Sequence, residues 1–283
     1  MNAIKTPKEI LETSIDISES KSSGSFVKLL VLGILAGAFI AFASEASNMA
    51  AYNLLADSDK YGLGRFVAGL IFPVGLMLVV LTGAELFTGN TMMINGVVRK
   101  RITLPAMLRN WGIVYIANLI GSVLIAYFIF TSGLLNSSDG LLGAVTIKIA
   151  VTKVNLPFIS AMFLGIMCNW LVCLAVWMSW SCSTAIGKMF AIFFPIWLFI
   201  TSGFEHSVAN MYYIPVGMMA KTNPDLLNKA FEIGVTEAAA QNLNVSGFVL
   251  SNLLPVTIGN IIGGSIFVAI AYYVAFKDKK VKG

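Results

Sequence analysis

Six apolar segments follow one another along the chain, and their length restricts its fold more than any other feature. We place them near residues 27–50, 65–97, 105–132, 156–180, 188–220 and 246–276. Each has at least the roughly 20 residues that a helix needs to cross about 30 Å of hydrocarbon. Only 12% of the 283 residues are charged, and mean hydropathy is +0.83. A soluble domain cannot bury so much apolar surface, so the sequence predicts an all-α membrane protein with six transmembrane helices.

The first 26 residues differ from the rest in composition. Thr6, Pro7 and Glu9 form a helix-starting pattern with a capping box, and the apolar residues that follow lie on one side. We therefore expect residues 1–26 to contain an amphipathic surface helix, which either lies at the membrane or acts as a gate. Residues 27–276 form the transmembrane domain, and residues 277–283 form a cytoplasmic tail.

The distribution of basic residues predicts the orientation. A six-span chain has both termini on one side, and most of the 19 lysines and arginines fall on that side. This excess predicts cytoplasmic termini in a multi-pass protein of the cell membrane. No basic stripe with interleaved aromatics is present, so the expected partners are lipid and solute and not nucleic acid. Six basic residues fall outside: Lys60, Arg65, Lys148, Lys153, Lys221 and Lys229.

One motif occurs twice, in the second and the fifth span. Residues 83–90 read GAELFTGN and residues 203–210 read GFEHSVAN, so both follow the pattern G-x-E-x-x-x-x-N. A Phe-Pro pair precedes each copy at nearly the same distance. Because three spans per half is an odd number, the two halves are expected to be inverted repeats whose motifs meet near mid-depth. The second and fifth spans are too long for one crossing, so we predict that both helices are broken at the motif.

The residue types of the motif suit a broken helix. Glycine lets the backbone leave helical geometry, and the polar side chains can pair with the freed N–H and C=O groups. Half-helix N-termini favour anions, so a small monovalent anion is the best-supported solute. The predicted break-stabilising residues are Glu85, Asn90, Glu205 and Asn210.

Several further residues are candidates for the solute pathway. His206 is the one histidine and lies at the second break, where a titratable group is expected to be functional. Thr88 can offer a hydroxyl from the first break, and Lys148 and Lys153 can attract anions from outside. Asn169 and Asn260 either line a path or bond a neighbouring backbone. Apolar constrictions are predicted at Phe72, Leu76, Leu86 and Phe199.

Two alternatives come from other functional classes. An intramembrane hydrolase would need Cys168, Cys173 or Ser207 beside an oriented base, and the sequence offers no such arrangement. The cysteines lack CxxC spacing, so no metal and no cofactor is predicted. A channel for neutral solutes such as water or glycerol is the second alternative. The paired carboxylates of the breaks, and the absence of paired Asn-Pro-Ala turns, count against it.

With these motifs, nearly the whole chain resembles the formate/nitrite transporter family. Further similarities are CNWLVCLAVW at 168–177 and GNIIGG at 259–264. The resemblance implies a homopentameric, aquaporin-like channel for hydrosulfide, formate or nitrite, with one pore in each protomer. It is closest to the hydrosulfide channel branch. It also implies that His206 is the pore histidine, that Lys153 lies in the outer funnel and that Asn260 is a pore asparagine.

Overall fold

The computed structural model describes residues 4–277, and over that range the protein is helical without strands. The predicted tail therefore falls largely outside the described residues. Helices are numbered in chain order. The N-terminal half contains α1 Pro7–Ser22, α2 Phe26–Ala56, α3 Tyr61–Ile71, α4 Pro73–Thr82, α5 Phe87–Asn90, α6 Ile94–Val98 and α7 Leu104–Thr131.

The C-terminal half contains eight further helices and two π-helical segments. The helices are α8 Leu141–Val154, α9 Phe158–Ser181, α10 Ala185–Thr201, α11 Ser207–Ala220, α12 Pro224–Glu232, α13 Glu237–Gln241, α14 Leu254–Ile262 and α15 Ala271–Phe276. The π-helical segments, Gly247–Leu253 and Gly263–Ile270, join α14 and α15 into one continuous span.

Within residues 4–277, five apolar helical stretches are long enough to cross a bilayer. They are Phe26–Ala56, Ser58–Thr82, Leu104–Thr131, Phe158–Ser181 and Gly247–Phe276. The fifth predicted span is divided between the shorter α10 and α11. Both predicted breaks are present, because helical structure stops after α4 and resumes at α5, and stops after α10 and resumes at α11.

Close helix pairs form the centre of the fold. Gly33 and Gly37 of α2 lie directly against α7, and Gly259 and Gly263 of the last span lie directly against α9. Residues without a bulky side chain allow the helix backbones to approach this closely.

The sequence did not predict α8. The spans placed at 105–132 and 156–180 leave residues 133–155 as an outer connection, which carries two lysines. In the structure α8 is a buried helix against α2 and α11, with Leu142, Ile147 and Val151 inside.

Helix α1 begins with the predicted capping box. The Thr6 hydroxyl accepts from the Glu9 N–H, and the Glu9 carboxylate accepts from the Thr6 N–H. The apolar side of α1, including Leu11 and Ile15, is buried against protein. Its position relative to the membrane surface stays a prediction.

Candidate functional site

The first break is a four-residue loop that ends α4 and begins α5. Gly83 has φ 78°, a left-handed conformation in which glycine is not strained. The Glu85 carboxylate lies at the centre of the loop, and its Oε2 accepts from Lys21 Nζ at 2.7 Å and from Asn90 Nδ2 at 2.7 Å. The Glu85 N–H donates to the Leu32 carbonyl at 3.1 Å.

The second break repeats these contacts. Gly203 has φ 79°. Glu205 accepts from Lys153 Nζ at 2.7 Å and from Asn210 Nδ2 at 2.6 Å, and its N–H donates to the Leu164 carbonyl at 3.3 Å. Each break is therefore stabilised by an equivalent set of one glutamate, one asparagine and one lysine. The lysine comes from the first helix of each half, α1 or α8.

Asparagines on α7 and α14 fix the ends of the breaks. Asn118 accepts from the Phe87 N–H at 2.9 Å and donates to the carbonyls of Gly33 and Glu85. Asn260 does the same in the second half: it accepts from the Ser207 N–H at 2.9 Å and donates to the carbonyls of Gly165 and Glu205. The first backbone N–H of α5 and the first of α11 therefore each donate to an asparagine side chain.

A second pair of asparagines completes each network. Asn110 accepts from Asn90 at 2.8 Å, and Asn252 accepts from Asn210 at 2.7 Å. Sequence reasoning missed Lys21, Asn110, Asn118 and Asn252 as parts of the site. A signal was available, because the third and sixth spans each carry two asparagines at the same spacing.

The two breaks meet at Thr88 and His206. Thr88 Oγ1 lies 2.9 Å from His206 Nε2, and both side chains are buried. The Ala209 N–H donates to His206 Nδ1 at 3.1 Å, so His206 caps the N-terminus of α11. Because Nδ1 accepts this bond, it carries no proton, and a neutral ring must carry its proton on Nε2. The imidazole therefore presents an N–H to the Thr88 hydroxyl.

Apolar side chains surround this pair. The rings of Phe72 and Phe199 pack edge to face, with centroids 5.5 Å apart, and Phe199 lies against the His206 ring. Leu76 and Leu86 line a cavity of about 240 Å³ whose wall also includes Lys21, called the inner cavity after the predicted orientation. All four predicted constriction residues are buried; Phe199 contacts both Phe72 and His206, and Leu76 and Leu86 share the wall of the cavity beside Lys21.

Two further cavities, called the outer cavities after the predicted orientation, share Arg65 and Lys153 in their walls. The larger, about 150 Å³, is lined by Arg65, Lys148, Lys153 and Glu205. The smaller, about 30 Å³, contains Arg65, Lys153 and His206 in its wall. Lys148 Nζ donates to the Ala56 carbonyl at 3.4 Å. Lys153 lines both cavities, whereas Lys148 lines only the larger one and His206 only the smaller one.

The remaining predicted residues take part in internal hydrogen bonds. Asn169 is fully buried and donates to the carbonyls of Thr88 and Asn260, which matches the backbone-bonding alternative for this residue. Cys173 Sγ lies 3.5 Å from Thr91 Oγ1. Within residues 4–277, the ring nitrogens of His206 contact Thr88 and Ala209, so neither a cysteine nor Ser207 has an oriented base.

Comparison with known proteins gives consistent matches over nearly the whole chain. Residues 8–274 match the formate/nitrite transporter family. A probable formate transporter of Methanothermobacter thermautotrophicus is 39% identical, over 97% of this chain and 98% of that protein. The formate channel FocA of Haemophilus influenzae is 37% identical, over 94% of this chain and 92% of the relative.

Solved structures show the same architecture. A pentameric formate channel with formate bound superposes with a TM-score of 0.76 at 33% identity, covering 89% of this chain and 98% of that one. An FNT family ion channel gives a TM-score of 0.78 at 28% identity, covering 94% and 98%.

Proposed function

Because the chain belongs to the formate/nitrite transporter family, we propose that it conducts small monovalent anions of weak acids, namely hydrosulfide, formate or nitrite. Its relatives are channels and transporters, so it is a multi-pass membrane transport protein and not an enzyme. The observation that carries the proposal is the Thr88–His206 pair, a hydroxyl and an N–H joined between two apolar layers where two helix breaks meet.

The pathway runs from the outer cavity through the apolar side chains to the inner cavity. Lys148, which has no carboxylate partner within the described residues, raises the local anion concentration at the outer end, beside the ion pair of Lys153 and Glu205. Between the outer and inner cavities, Phe72 and Phe199 form the outer constriction and Leu76 and Leu86 the inner one. A bare anion is strongly disfavoured there, which excludes larger and more strongly hydrated ions.

His206 and Thr88 provide the polar contact inside this apolar region. The Nε2–H and the hydroxyl can donate to the permeating solute, which lowers the cost of its dehydration. The bond from the Ala209 N–H to Nδ1 favours a neutral imidazole, since a second proton would place two N–H donors against each other. We therefore propose that His206 acts as a neutral hydrogen-bond donor. A proton relay through a doubly protonated ring would have to break the cap of α11.

A His206→Asn variant tests this role. Asparagine is a good N-cap and keeps a hydrogen-bond donor, but it does not titrate. If His206 is a neutral donor, uptake into liposomes changes in rate, while its pH profile and the ratio of protons to anions moved stay as in the wild type. Loss of pH dependence and of proton co-movement in a well-folded variant would establish the relay in its place.

The choice among anions requires a direct comparison. The named relatives support formate, whereas the sequence resemblance favours hydrosulfide. Liposome flux with formate, nitrite, hydrosulfide, water and glycerol separates the anions from one another. The same panel tests the alternative of a neutral-solute channel, which predicts fast water or glycerol flux with no anion flux.

We propose a homopentamer with one pathway in each protomer. The support is the likeness to a pentameric formate channel over nearly the full length of both chains. Cross-linking in mild detergent is expected to give bands up to pentamer, and a series that stops at dimer would contradict the assignment.

We also propose that both termini face the cytoplasm in the cell (inner) membrane. The support is the excess of basic residues on that side of the predicted topology. A tag fused to the C-terminus should be protected from protease in intact cells, and rapid cleavage would reverse the orientation.

A further inference from the structure

A cavity of about 530 Å³ lies between α1 and the residues that connect α9 to α10, and we call it the vestibule. Its wall includes Lys5 and Lys188, the hydroxyl side chains of Thr13, Ser181 and Ser183, and Cys182. Two further side chains of this wall, Ile17 of α1 and Trp180 of α9, also line the inner cavity. The two cavities therefore adjoin at Ile17 and Trp180, and a solute that leaves the inner cavity past them enters the vestibule.

The wall of the vestibule is basic. It contains two lysines and, among the described residues, no aspartate or glutamate. Lys188 is partly exposed, and within residues 4–277 its ammonium has no carboxylate partner. Lys5 donates to the Thr13 hydroxyl at 2.9 Å and is also attracted by the carboxylate of Glu9. Most of the uncompensated positive charge of the wall therefore comes from Lys188.

The outer end of the pathway has a comparable arrangement of two lysines. There Lys153 pairs with the glutamate of the second break, whereas Lys148 lines the larger outer cavity without a carboxylate partner. On the inner side Lys21 pairs with the glutamate of the first break, and Lys188 is the lysine without a carboxylate partner. Because an ion pair has little net charge, the unpaired lysine determines most of the potential at each end.

The size of the vestibule indicates how it acts on an anion. Its volume far exceeds the roughly 10–15 Å³ that one water requires, so an anion inside it keeps most of its hydration. Lys188 then acts through its electrostatic field and not through a dehydrated ion pair. Such an interaction raises the local anion concentration and is weakened by salt.

We propose that the vestibule is the inner mouth of the pathway and that Lys188 concentrates small monovalent anions there. This inference rests on the proposed function and adds to it a residue that sets the rate at which anions enter from the side of α1. The attraction depends on charge, so it favours anions over neutral solutes and does not distinguish formate, nitrite and hydrosulfide from one another.

The first test measures formate flux in both directions through uniformly oriented protein in proteoliposomes, at formate concentrations well below saturation. In Lys188→Glu, flux that enters from the side of α1 should fall a few-fold at low ionic strength and recover at high ionic strength. Flux that enters from the opposite side should change less. Lys28→Glu is the matched control, because Lys28 is exposed at the start of α2, on the same predicted side, and lines neither the vestibule nor the inner cavity.

The second test measures the potential of the vestibule without transport. Cys182 lines the vestibule and is partly exposed, whereas Cys168 and Cys173 are buried. Its rates of reaction with methanethiosulfonates that carry a sulfonate or a trimethylammonium group are compared, and a Cys182→Ser protein gives the background. The ratio of the anionic to the cationic rate should fall a few-fold in Lys188→Gln and further in Lys188→Glu. It should stay unchanged in Lys28→Gln.

An unchanged reagent ratio in both Lys188 variants would show that the vestibule does not attract anions. A changed ratio with wild-type formate flux in Lys188→Glu would overturn its role as the inner mouth. The same conclusion follows from a loss of flux that is equal at low and high ionic strength, or from an equally large loss in Lys28→Glu. If the wild type moves no formate in either direction, the proposed function fails, and the reagent ratio still decides whether the vestibule attracts anions.

Discussion

The two helix breaks share a framework but differ in the residues that face the pathway. Glu85 and Glu205 have equivalent lysine and asparagine partners. The position after each glutamate differs: Leu86 provides no side-chain cap to α5, whereas His206 caps α11. The comparison shows that equivalent contacts stabilise both breaks. The residues that differ between the two motifs place the Thr88 hydroxyl and the His206 imidazole next to each other.

The two breaks also differ in exposure. The Lys21 side chain is 22% exposed and that of Lys153 is 14% exposed, so the second ion pair is shielded more from solvent. The inner cavity beside Lys21 is larger than either outer cavity. The second break, which carries His206, is therefore less exposed to solvent and lies beside smaller cavities than the first break.

The largest expected effect follows removal of a break carboxylate. Glu205→Ala leaves Lys153 without its carboxylate and removes one of the two acceptors of Asn210, which should destabilise the fold by about 3–5 kcal/mol. Glu85→Ala should cost less, because Lys21 can reach water. Thermal aggregation midpoints of the purified oligomers test the order. Equal midpoints, or a lower midpoint for Glu85→Ala, would show that the greater burial of the second break does not increase its contribution to stability.

An intermediate effect is expected at the point where the breaks meet. Thr88→Val has nearly the same shape but leaves the Nε2–H of His206 without its partner, and anion flux should fall about tenfold, equivalent to roughly 1.4 kcal/mol in the barrier. Thr88→Ser keeps the hydroxyl and serves as the control. Measured flux through the two variants in liposomes should differ accordingly. Similar flux in both would remove Thr88 from the pathway.

The smallest effect concerns the outer charges. Lys148→Glu should reduce anion flux a few-fold at low ionic strength and much less at high ionic strength, because salt screens the outer cavity. Lys148 has no carboxylate partner within the described residues, so the change leaves the Glu205 network intact. Lys60→Glu, at an exposed outer site, is the comparison variant. If the ratio of variant flux to wild-type flux does not change with salt concentration, Lys148 does not act on the anion through its charge.

Much of the functional region follows from the sequence, because its signals are local. Runs of apolar residues indicate spans whatever their neighbours, and a glycine before a glutamate inside such a run marks a break. The repeated motif thus located both loops, including Gly83 and Gly203 with their left-handed backbone. The capping box of α1 is equally local and is present. Helix α8 escaped prediction because its burial depends on α2 and α11, which its own residues do not encode.

The sequence by itself determined that this chain spans a membrane, where its helices break, and which residues lie at the breaks. Hydropathy and glycine act through the nearest turns of the chain, so these features survive without knowledge of the fold. Only the tertiary structure decided which side chains meet. Thr88 and His206, and likewise Lys21 and Glu85, lie on separate elements, and their contacts exist because helix packing brings those elements together.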